Sequence, residues 1–203
     1  MTKNLLLIFT ILSITYVSTA QSQVPEKAED ISPLLIGERV PDANLLNVDG
    51  NEVKISDIIK EKPTVLVFYR GGWCPYCNNQ LSSLAETEKE IIDLGFQIVA
   101  ISPDHYESLK PTVDKGEFNY NIYSDSSSRL IQAIGIGFET PEKAKDYIFK
   151  KTNKETTDVL PVPAVFILDT KGKILFEYIN PDYSTRLSSE LLLANLKALK
   201  TEL

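Results

Sequence analysis

The sequence contains few of the residues that bind metal ions. Among its 203 residues there are two cysteines, Cys74 and Cys77, and one histidine, His105. A structural zinc site normally needs four ligands, and two cysteines with one distant histidine are too few to form one. Two thiolates could hold Cu(I), but Met1 is expected to be lost with a leader, and no further soft ligand lies nearby in sequence. A non-enzymatic copper carrier therefore stays only as a remote alternative.

Positive charge is also scarce. The formal net charge is -7, and the lysines and arginines form no basic stripe. Binding to nucleic acid draws on the release of counterions by clustered cationic side chains. We therefore expect no nucleic-acid partner.

Long apolar runs are missing except at the N-terminus. Lys3 precedes an apolar stretch over residues 5–17, and small residues follow up to Ala20. This order is typical of a cleaved secretory signal, whereas a membrane anchor needs about 20 apolar residues. We expect cleavage after Ala20, no stable membrane anchor, and export to the periplasm or the extracellular space.

The rest of the chain predicts one α/β domain. We assign residues 1–20 to a signal peptide, 21–36 to a flexible tether and 37–203 to the domain. Strand and helix patterns alternate through it, which predicts a mixed sheet with helices on both faces. The expected elements are a hairpin over 44–55, strands at 64–69, 96–101 and 121–124, a hairpin over 164–178, and helices after Cys74, at Ser102-Pro103, at 126–134, 141–156 and 188–200.

The two cysteines form a Cys-Pro-Tyr-Cys motif where the strand over 64–69 passes into a helix. A helix N-terminus favours the thiolate form of a cysteine, so Cys74 is expected to be easily ionised. Cys77 follows one helical turn later, within bonding reach. A purely structural disulfide is an alternative, but so short a loop constrains the unfolded chain little. The motif favours a redox pair.

Three neighbours of the motif are candidate supporting residues. Arg70 is interpreted either as a positive charge near the thiolate or as a solvated arginine at a strand end. Trp73 either covers one side of the sulfur or packs as an ordinary core residue. Pro163, directly before a strand, is interpreted either as a cis proline at a tight position or as a trans proline that opens the strand.

Three segments resemble the peroxiredoxin-like branch of the alkyl hydroperoxide reductase/thiol-specific antioxidant family. They are Val67–Cys77, Val162–Asp169 and the Pro181-Asp182-Tyr183 segment through Arg186. The resemblance runs from about Gly37 to the C-terminus. It implies a thioredoxin-like fold, with a central mixed sheet flanked by helices and an N-terminal β-hairpin extension.

The resemblance also assigns roles to residues. Peroxiredoxins carry Pro-x-x-x-Thr/Ser-x-x-Cys, and counting places Arg70 at the proline, Cys74 at the hydroxyl residue and Cys77 at the peroxide-reducing cysteine. The family's late-strand arginine corresponds to Pro163, which instead matches the cis proline of thioredoxins. Thioredoxins also match the Trp-Cys-x-x-Cys pattern, which makes Cys74 the attacking sulfur. Their buried acid corresponds to Phe68 in this chain.

We therefore expect an enzyme that reduces peroxides through a dithiol–disulfide cycle of Cys74 and Cys77. The alternative is thioredoxin-like exchange with protein disulfides, and a bridged binding module without activity is a further one. Either redox cycle needs an external thiol reductant, thioredoxin-like or membrane-linked, and neither needs a metal or organic cofactor. The sequence does not decide the electron donor or the oligomeric state.

Other features carry weaker expectations. His105 is expected to face solvent. Residues 138–156 are interpreted as a surface helix or as a lid or substrate groove beside the cysteines. Asp182 and Arg186 are expected to pair near the last helix, with no chemistry assigned to either.

Overall fold

The computed structural model describes residues 24–116, 119–152 and 155–201. The expected signal peptide lies outside the described residues. The described elements, in chain order, are a 3₁₀ turn (Ala28–Asp30), β1 (Asn44–Leu46), β2 (Glu52–Lys54), α1 (Ile55–Ile59), β3 (Thr64–Phe68), α2 (Pro75–Asp93), β4 (Gln97–Ser102), α3 (Tyr106–Gly116), β5 (Asn121–Ser124), α4 (Arg129–Ala133), β6 (Gly137–Glu139), α5 (Glu142–Lys151), β7 (Val159–Pro161), β8 (Ala164–Leu168), β9 (Ile174–Ile179) and α6 (Ser189–Leu199).

Seven strands form the central sheet in the order β2-β1-β5-β4-β3-β8-β9. β3, β4 and β5 are parallel neighbours, while β1 pairs antiparallel with both β2 and β5. β8 runs antiparallel to β3 and to β9. The sheet is therefore mixed, and the α/β class and the N-terminal hairpin are confirmed.

The centre of the sheet is buried on both faces, as its apolar sequence predicts. All five residues of β3 and all five of β8 are buried. One core cluster packs β3 against α2, α3 and α6, and a second packs the opposite face against α1 and α4. Helices on both faces exclude water from continuous Val/Ile/Leu strands, which explains why these strands show no alternation.

The secondary structure differs from the sequence-based expectation at several places. The helix expected at Ser102-Pro103 begins later, at Tyr106, because Ser102 ends β4 and Asp104 turns back onto the loop before α2. The helix expected over 141–156 covers only Glu142–Lys151. A two-stranded antiparallel sheet of β6 and β7 was not expected, because three-residue strands leave almost no periodic signal.

The described part of the expected tether is packed onto the domain. The backbone amide of Leu34 donates to the carbonyl of Ile134 at 2.9 Å, and the amide of Glu139 donates to the carbonyl of Pro25 at 2.8 Å. Val24 and Leu34 also pack against the α1/α4 core cluster. Residues 24–36 thus differ from the flexible tether expected there, because apolar side chains of this polar segment pack against the domain.

Among the described helices, none is both long and apolar enough to cross a membrane.

Candidate active site

The two cysteines lie at the start of α2, directly after the central strand β3. Cys74 is the N-cap residue of α2, and Cys77 lies in its first turn. Both are free thiols, with 2% of Cys74 and 0% of Cys77 exposed. Pro75 occupies the first helical position, where its missing N–H leaves no intrahelical bond unmade. The strand-to-helix junction expected from the sequence is confirmed.

The two sulfurs differ in acidity. The pKa of Cys74 falls to about 6, chiefly because of its hydrogen bond with the Cys77 thiol. Burial opposes this shift, while the backbone amide of Cys77 and the guanidinium groups of Arg70 and Arg186 add to it. Burial raises the pKa of Cys77 well above its ordinary value, and the neighbouring Cys74 raises it further. Cys74 is therefore the thiolate of the pair, and Cys77 is its proton-bearing partner.

Arg70 is not a solvated arginine at a strand end. It is 8% exposed, and its guanidinium carbon lies 5.2 Å from the centre of the Trp73 ring and 4.5 Å from that of Tyr183. Tyr183 in turn contacts the ring of Tyr76 edge-on, at 5.8 Å between ring centres. Aromatic faces attract a desolvated guanidinium, so these rings hold the positive charge of Arg70 beside the dithiol.

Trp73 packs as a core residue, the second of the two roles considered for it. It packs against the core cluster that contains Cys74 and against a smaller cluster that includes Ile148 and Val162. Its ring also lies 6.0 Å from that of Tyr147, edge-on. Trp73 therefore connects the cysteine loop to the segment over 138–156.

Arg186 lies in the site, although no chemistry was expected of it. It lies in the loop between β9 and α6 (residues 180–188, the β9–α6 loop), and its Nη2 donates to the Sγ of Cys77 at 3.5 Å. Its Nη1 donates to the carbonyls of Tyr183 and Thr185. The expected partner Asp182 accepts from Ser184 and Thr185 instead. A separation of 109 residues between Arg186 and Cys77 left no local signal.

Pro163 is at the expected end of the sheet but in the trans form. No peptide bond in the described part of the chain is cis. Ala164, the next residue, pairs with Phe68 at the end of β3, and the carbonyl of Pro163 accepts from the amide of Asn180 at 3.2 Å. The match to a cis proline is therefore wrong, and Pro163 joins β8 to the start of the β9–α6 loop.

A buried acid supports the loop before Cys74. Asp104 is 4% exposed, and its Oδ2 accepts from the backbone amide of Gly72 at 2.7 Å. Burial raises the pKa of Asp104 to about 7, with a further contribution from the charge of Glu155. Gly71 has φ of +146°, and a Cβ there would collide with Trp73 and Asp104. The missing side chain of Gly71 thus allows the carboxyl to reach the backbone of the loop.

The segment over 138–156 borders a cavity of about 520 Å³ on the Asp104 side of the loop. Its residues Lys151 and Thr152 line this cavity together with Trp73 and Asp104. Neither cysteine is among the lining residues. This arrangement matches a groove beside the cysteine loop more closely than a detached surface helix.

His105 is 46% exposed and lies 3.5 Å from the carboxylate of Glu107, so it faces solvent as expected. Within the described ranges, no group of three or more His, Cys, Asp or Glu side chains is close enough to hold a metal ion.

A family model provides the decisive comparison. The model of the AhpC/TSA family matches residues 36–176, more than half of the chain. The chain belongs to the AhpC/TSA family. The membership expected from the motifs around Cys74 and Pro163 is therefore confirmed.

Curated relatives and solved structures agree with this membership. Peroxiredoxin bcp1 of Schizosaccharomyces pombe is 28% identical over 150 residues, which cover 70% of this chain and 76% of the relative. Peroxiredoxin Bcp of Escherichia coli is 25% identical over 169 residues, covering 82% and 98%. The crystal structure of Peroxidoxin BcpB from Mycobacterium tuberculosis aligns with a TM-score of 0.64 at 21% identity, covering 81% and 97%. Reduced Prx3 of Vibrio vulnificus in complex with H2O2 gives 0.68 at 17% identity, covering 80% and 99%. These structures support the fold of this AhpC/TSA chain.

Proposed function

We propose that this chain is a thiol peroxidase whose Cys74 thiolate reduces a peroxide and whose Cys77 then closes a disulfide. The observation that carries the proposal is the pair itself, an acidic thiolate at a helix N-terminus with a second thiol in contact with it. Membership in the AhpC/TSA family and relatives named peroxiredoxins support the same chemistry. Counting along the family's cysteine motif assigns the attack to Cys77, whereas acidity favours Cys74.

Burial favours a small oxidant over a protein disulfide. With 2% of Cys74 and 0% of Cys77 exposed, the disulfide of a folded protein cannot reach either sulfur unless the surrounding side chains move. A peroxide of two oxygen atoms needs far less space. The geometry therefore supports peroxide reduction over thioredoxin-like exchange.

The cycle balances with two thiols and one peroxide. The Cys74 thiolate attacks one peroxide oxygen, the O–O bond breaks, and Cys74 becomes a sulfenic acid. The departing alkoxide or hydroxide takes the proton of Cys77. The Cys77 thiolate then attacks the Cys74 sulfur, forms the S–S bond and expels hydroxide, which solvent protonates to water.

An external thiol reductant must restore the dithiol. Family membership supports a thioredoxin-like donor, because thiol–disulfide exchange is the chemistry by which a disulfide is reopened. We also propose that the chain acts outside the cytoplasm, with a membrane-linked donor as the alternative source of electrons. The signal-like residues 1–20 support this location, and the N-terminal sequence of the mature protein, expected to begin after Ala20, tests it.

The peroxidase proposal is tested with two single variants. At pH 7.5 we expect Cys77→Ser to form a sulfenic acid with H2O2 about 10-fold faster than a free thiol, because its nucleophile stays ionised whereas a free thiol of pKa about 8.5 is only about one-tenth ionised. Cys74→Ser, which keeps only the buried thiol, should react no faster than a free thiol. Dimedone labelling followed by mass spectrometry measures both rates.

Rapid labelling of Cys74→Ser alone would move the attack to Cys77. Slow labelling of both variants would contradict peroxidase function, and brisk reduction of insulin disulfides by the unmodified protein would then support exchange.

A further inference from the structure

Cys77 presents a chemical difficulty for the second half of the proposed cycle. It has to attack as a thiolate, yet it is fully buried, and burial opposes its ionisation. While Cys74 carries a negative charge, that charge and the shared hydrogen bond oppose ionisation further. The cycle needs a group that favours the Cys77 thiolate once Cys74 has been oxidised.

Arg186 is placed to do this. Its Nη2 donates to the Sγ of Cys77 at 3.5 Å, and its charge lowers the pKa of Cys77 against the raising effect of burial. Hydrogen bonds from Ser184 and Thr185 lower the pKa of the exposed Asp182, and the charge of Arg186 helps to lower it further. Within the described residues, however, no carboxylate lies close enough to form an ion pair with Arg186, and its buried Nε has no hydrogen-bond partner. The guanidinium therefore has donor capacity and charge left for a sulfur anion.

The β9–α6 loop holds this guanidinium in position from both sides. Before Arg186, the carboxylate of Asp182 accepts from the amide and hydroxyl of Ser184 at 2.9 and 2.7 Å, which closes a compact turn. After it, Ser188 caps α6 by accepting from the amide of Leu191 at 3.2 Å. The capped helix packs against α2 through the cluster that contains Cys77.

We infer that Arg186 is a catalytic residue for disulfide closure, which it assists by stabilising Cys77 as the thiolate that attacks oxidised Cys74. This inference rests on the proposed peroxidase function, because it concerns the second step of that cycle. In the first step Cys74 loses its negative charge to the departing oxygen, which takes the Cys77 proton. The hydrogen bond with the Cys74 thiolate and its negative charge, two effects that opposed ionisation of Cys77, are then gone, and Arg186 faces the only remaining sulfur anion.

Closure then proceeds with balanced charge. The electron pair of the Cys77 thiolate forms the S–S bond, and the S–O bond of the Cys74 sulfenic acid breaks. Hydroxide leaves and is protonated to water.

The two steps can be timed separately through Trp73, the single tryptophan of the chain. In stopped-flow fluorescence with reduced protein at pH 8, sulfenic acid formation is the phase whose rate rises with H2O2 concentration. Closure is the phase that does not depend on it. We expect Arg186→Gln to slow closure about 10- to 100-fold, the effect of removing a charge-assisted hydrogen bond. Formation should change by less than about 3-fold, because Cys74 stays ionised at this pH.

Two comparisons separate catalysis from structure. Arg186→Lys keeps the charge and should close faster than Arg186→Gln, and in Arg186→Gln the closure rate should reach its plateau at a higher pH than in the unmodified protein. Arg39→Gln is the matched control, since Arg39 donates to the carbonyl of Lys171 at 2.7 Å on a distant turn. It should leave both phases unchanged.

Closure at an unmodified rate and pH profile in Arg186→Gln would overturn the inference, as would equal slowing of both phases. If Arg186→Gln does not fold, Arg186→Ala is timed instead, and an unmodified closure rate and pH profile in that variant has the same meaning. Failure of the peroxidase proposal itself gives a different result, since the unmodified protein would then lack the phase that depends on peroxide.

Discussion

At the scale of single residues, the site works through the unequal environments of two identical side chains. Cys74 is the N-cap of a helix and receives a hydrogen bond from Cys77, while Cys77, in the first turn of that helix, is fully buried. Two arginines from different parts of the chain add positive charge. A low pKa on the attacking sulfur and a proton on the second are what a peroxide-reducing dithiol needs.

The largest acidifying contact of Cys74 can be removed by one substitution. We expect Cys77→Ala to raise the pKa of Cys74 above about 6, because the hydrogen bond from Cys77 is the main cause of its depression. Cys77→Ser keeps a donor at the same position and should raise it less. Thiolate absorbance at 240 nm, followed between pH 4 and pH 10, measures both variants.

A pKa of Cys74 that is unchanged in Cys77→Ala would mean that the helix terminus and the arginines alone set its acidity.

At the scale of elements, the loop from β3 to α2 depends on close backbone approach. The amide of Gly72 donates to Asp104 at 2.7 Å, and the carbonyl of Gly72 accepts from Asn78 of α2 at 3.0 Å. Gly71 reaches this arrangement with φ of +146°. The loop thereby ties the end of β4 to the first turns of α2.

A methyl group at Gly71 should disturb this connection. Gly71→Ala adds a left-handed backbone cost of about 1–2 kcal/mol and a collision with Trp73 and Asp104. Gly95→Ala is the matched control, because Gly95 also has positive φ, +96°, but an added Cβ there meets nothing within 4 Å. Urea unfolding should therefore show a larger loss of stability for Gly71→Ala, together with slower peroxide reduction in that variant only.

Equal losses of stability in the two glycine variants would show that the space around Gly71 is not limiting.

At the scale of the whole molecule, buried acids make stability depend on pH. Burial raises the pKa of Asp104 to about 7 and that of Asp125 to about 6, both from an ordinary value of 3.8. Asp125 accepts from the backbone amides of Arg129 and Ile131 at 3.1 and 2.9 Å at the start of α4. The folded protein thus holds protons that the unfolded chain has already released.

The sign of the effect follows from this difference in proton binding. Stability from these groups is complete below about pH 4 and is lost as the pH rises through their folded pKa values, to about pH 7. Asp104→Asn keeps an acceptor for Gly72 but cannot ionise. We expect its Tm to fall less than that of the unmodified protein between pH 4 and pH 7, by several degrees at about 2–4 °C per kcal/mol.

Calorimetry of the reduced proteins measures this slope, with the exposed Asp146→Asn as control. Parallel slopes in Asp104→Asn and the unmodified protein would show that Asp104 is already ionised in the folded state.

Most of the fold and the centre of the site were open to prediction because their signals are local. The continuous apolar runs of β3 and β8 predict buried strands. Pro75, followed by apolar residues at three- and four-residue spacing, predicts α2. Cys74 and Cys77 lie within one turn of that helix, so their contact follows from helical geometry alone. The short strands β6 and β7 escaped prediction, since three residues carry too little pattern.

The sequence by itself determined where the chemistry resides, namely two cysteines at a strand-to-helix junction in a chain of the AhpC/TSA family. Only the tertiary structure decided what surrounds them. It brings Arg186 to Cys77 across 109 residues of chain and encloses Arg70 between aromatic rings. It also places the carboxylate of Asp104 against the backbone of the loop between β3 and α2 and leaves the peptide bond before Pro163 trans. Acidity and access depend on charge, burial and distance in three dimensions, and no short-range pattern in the chain encodes them.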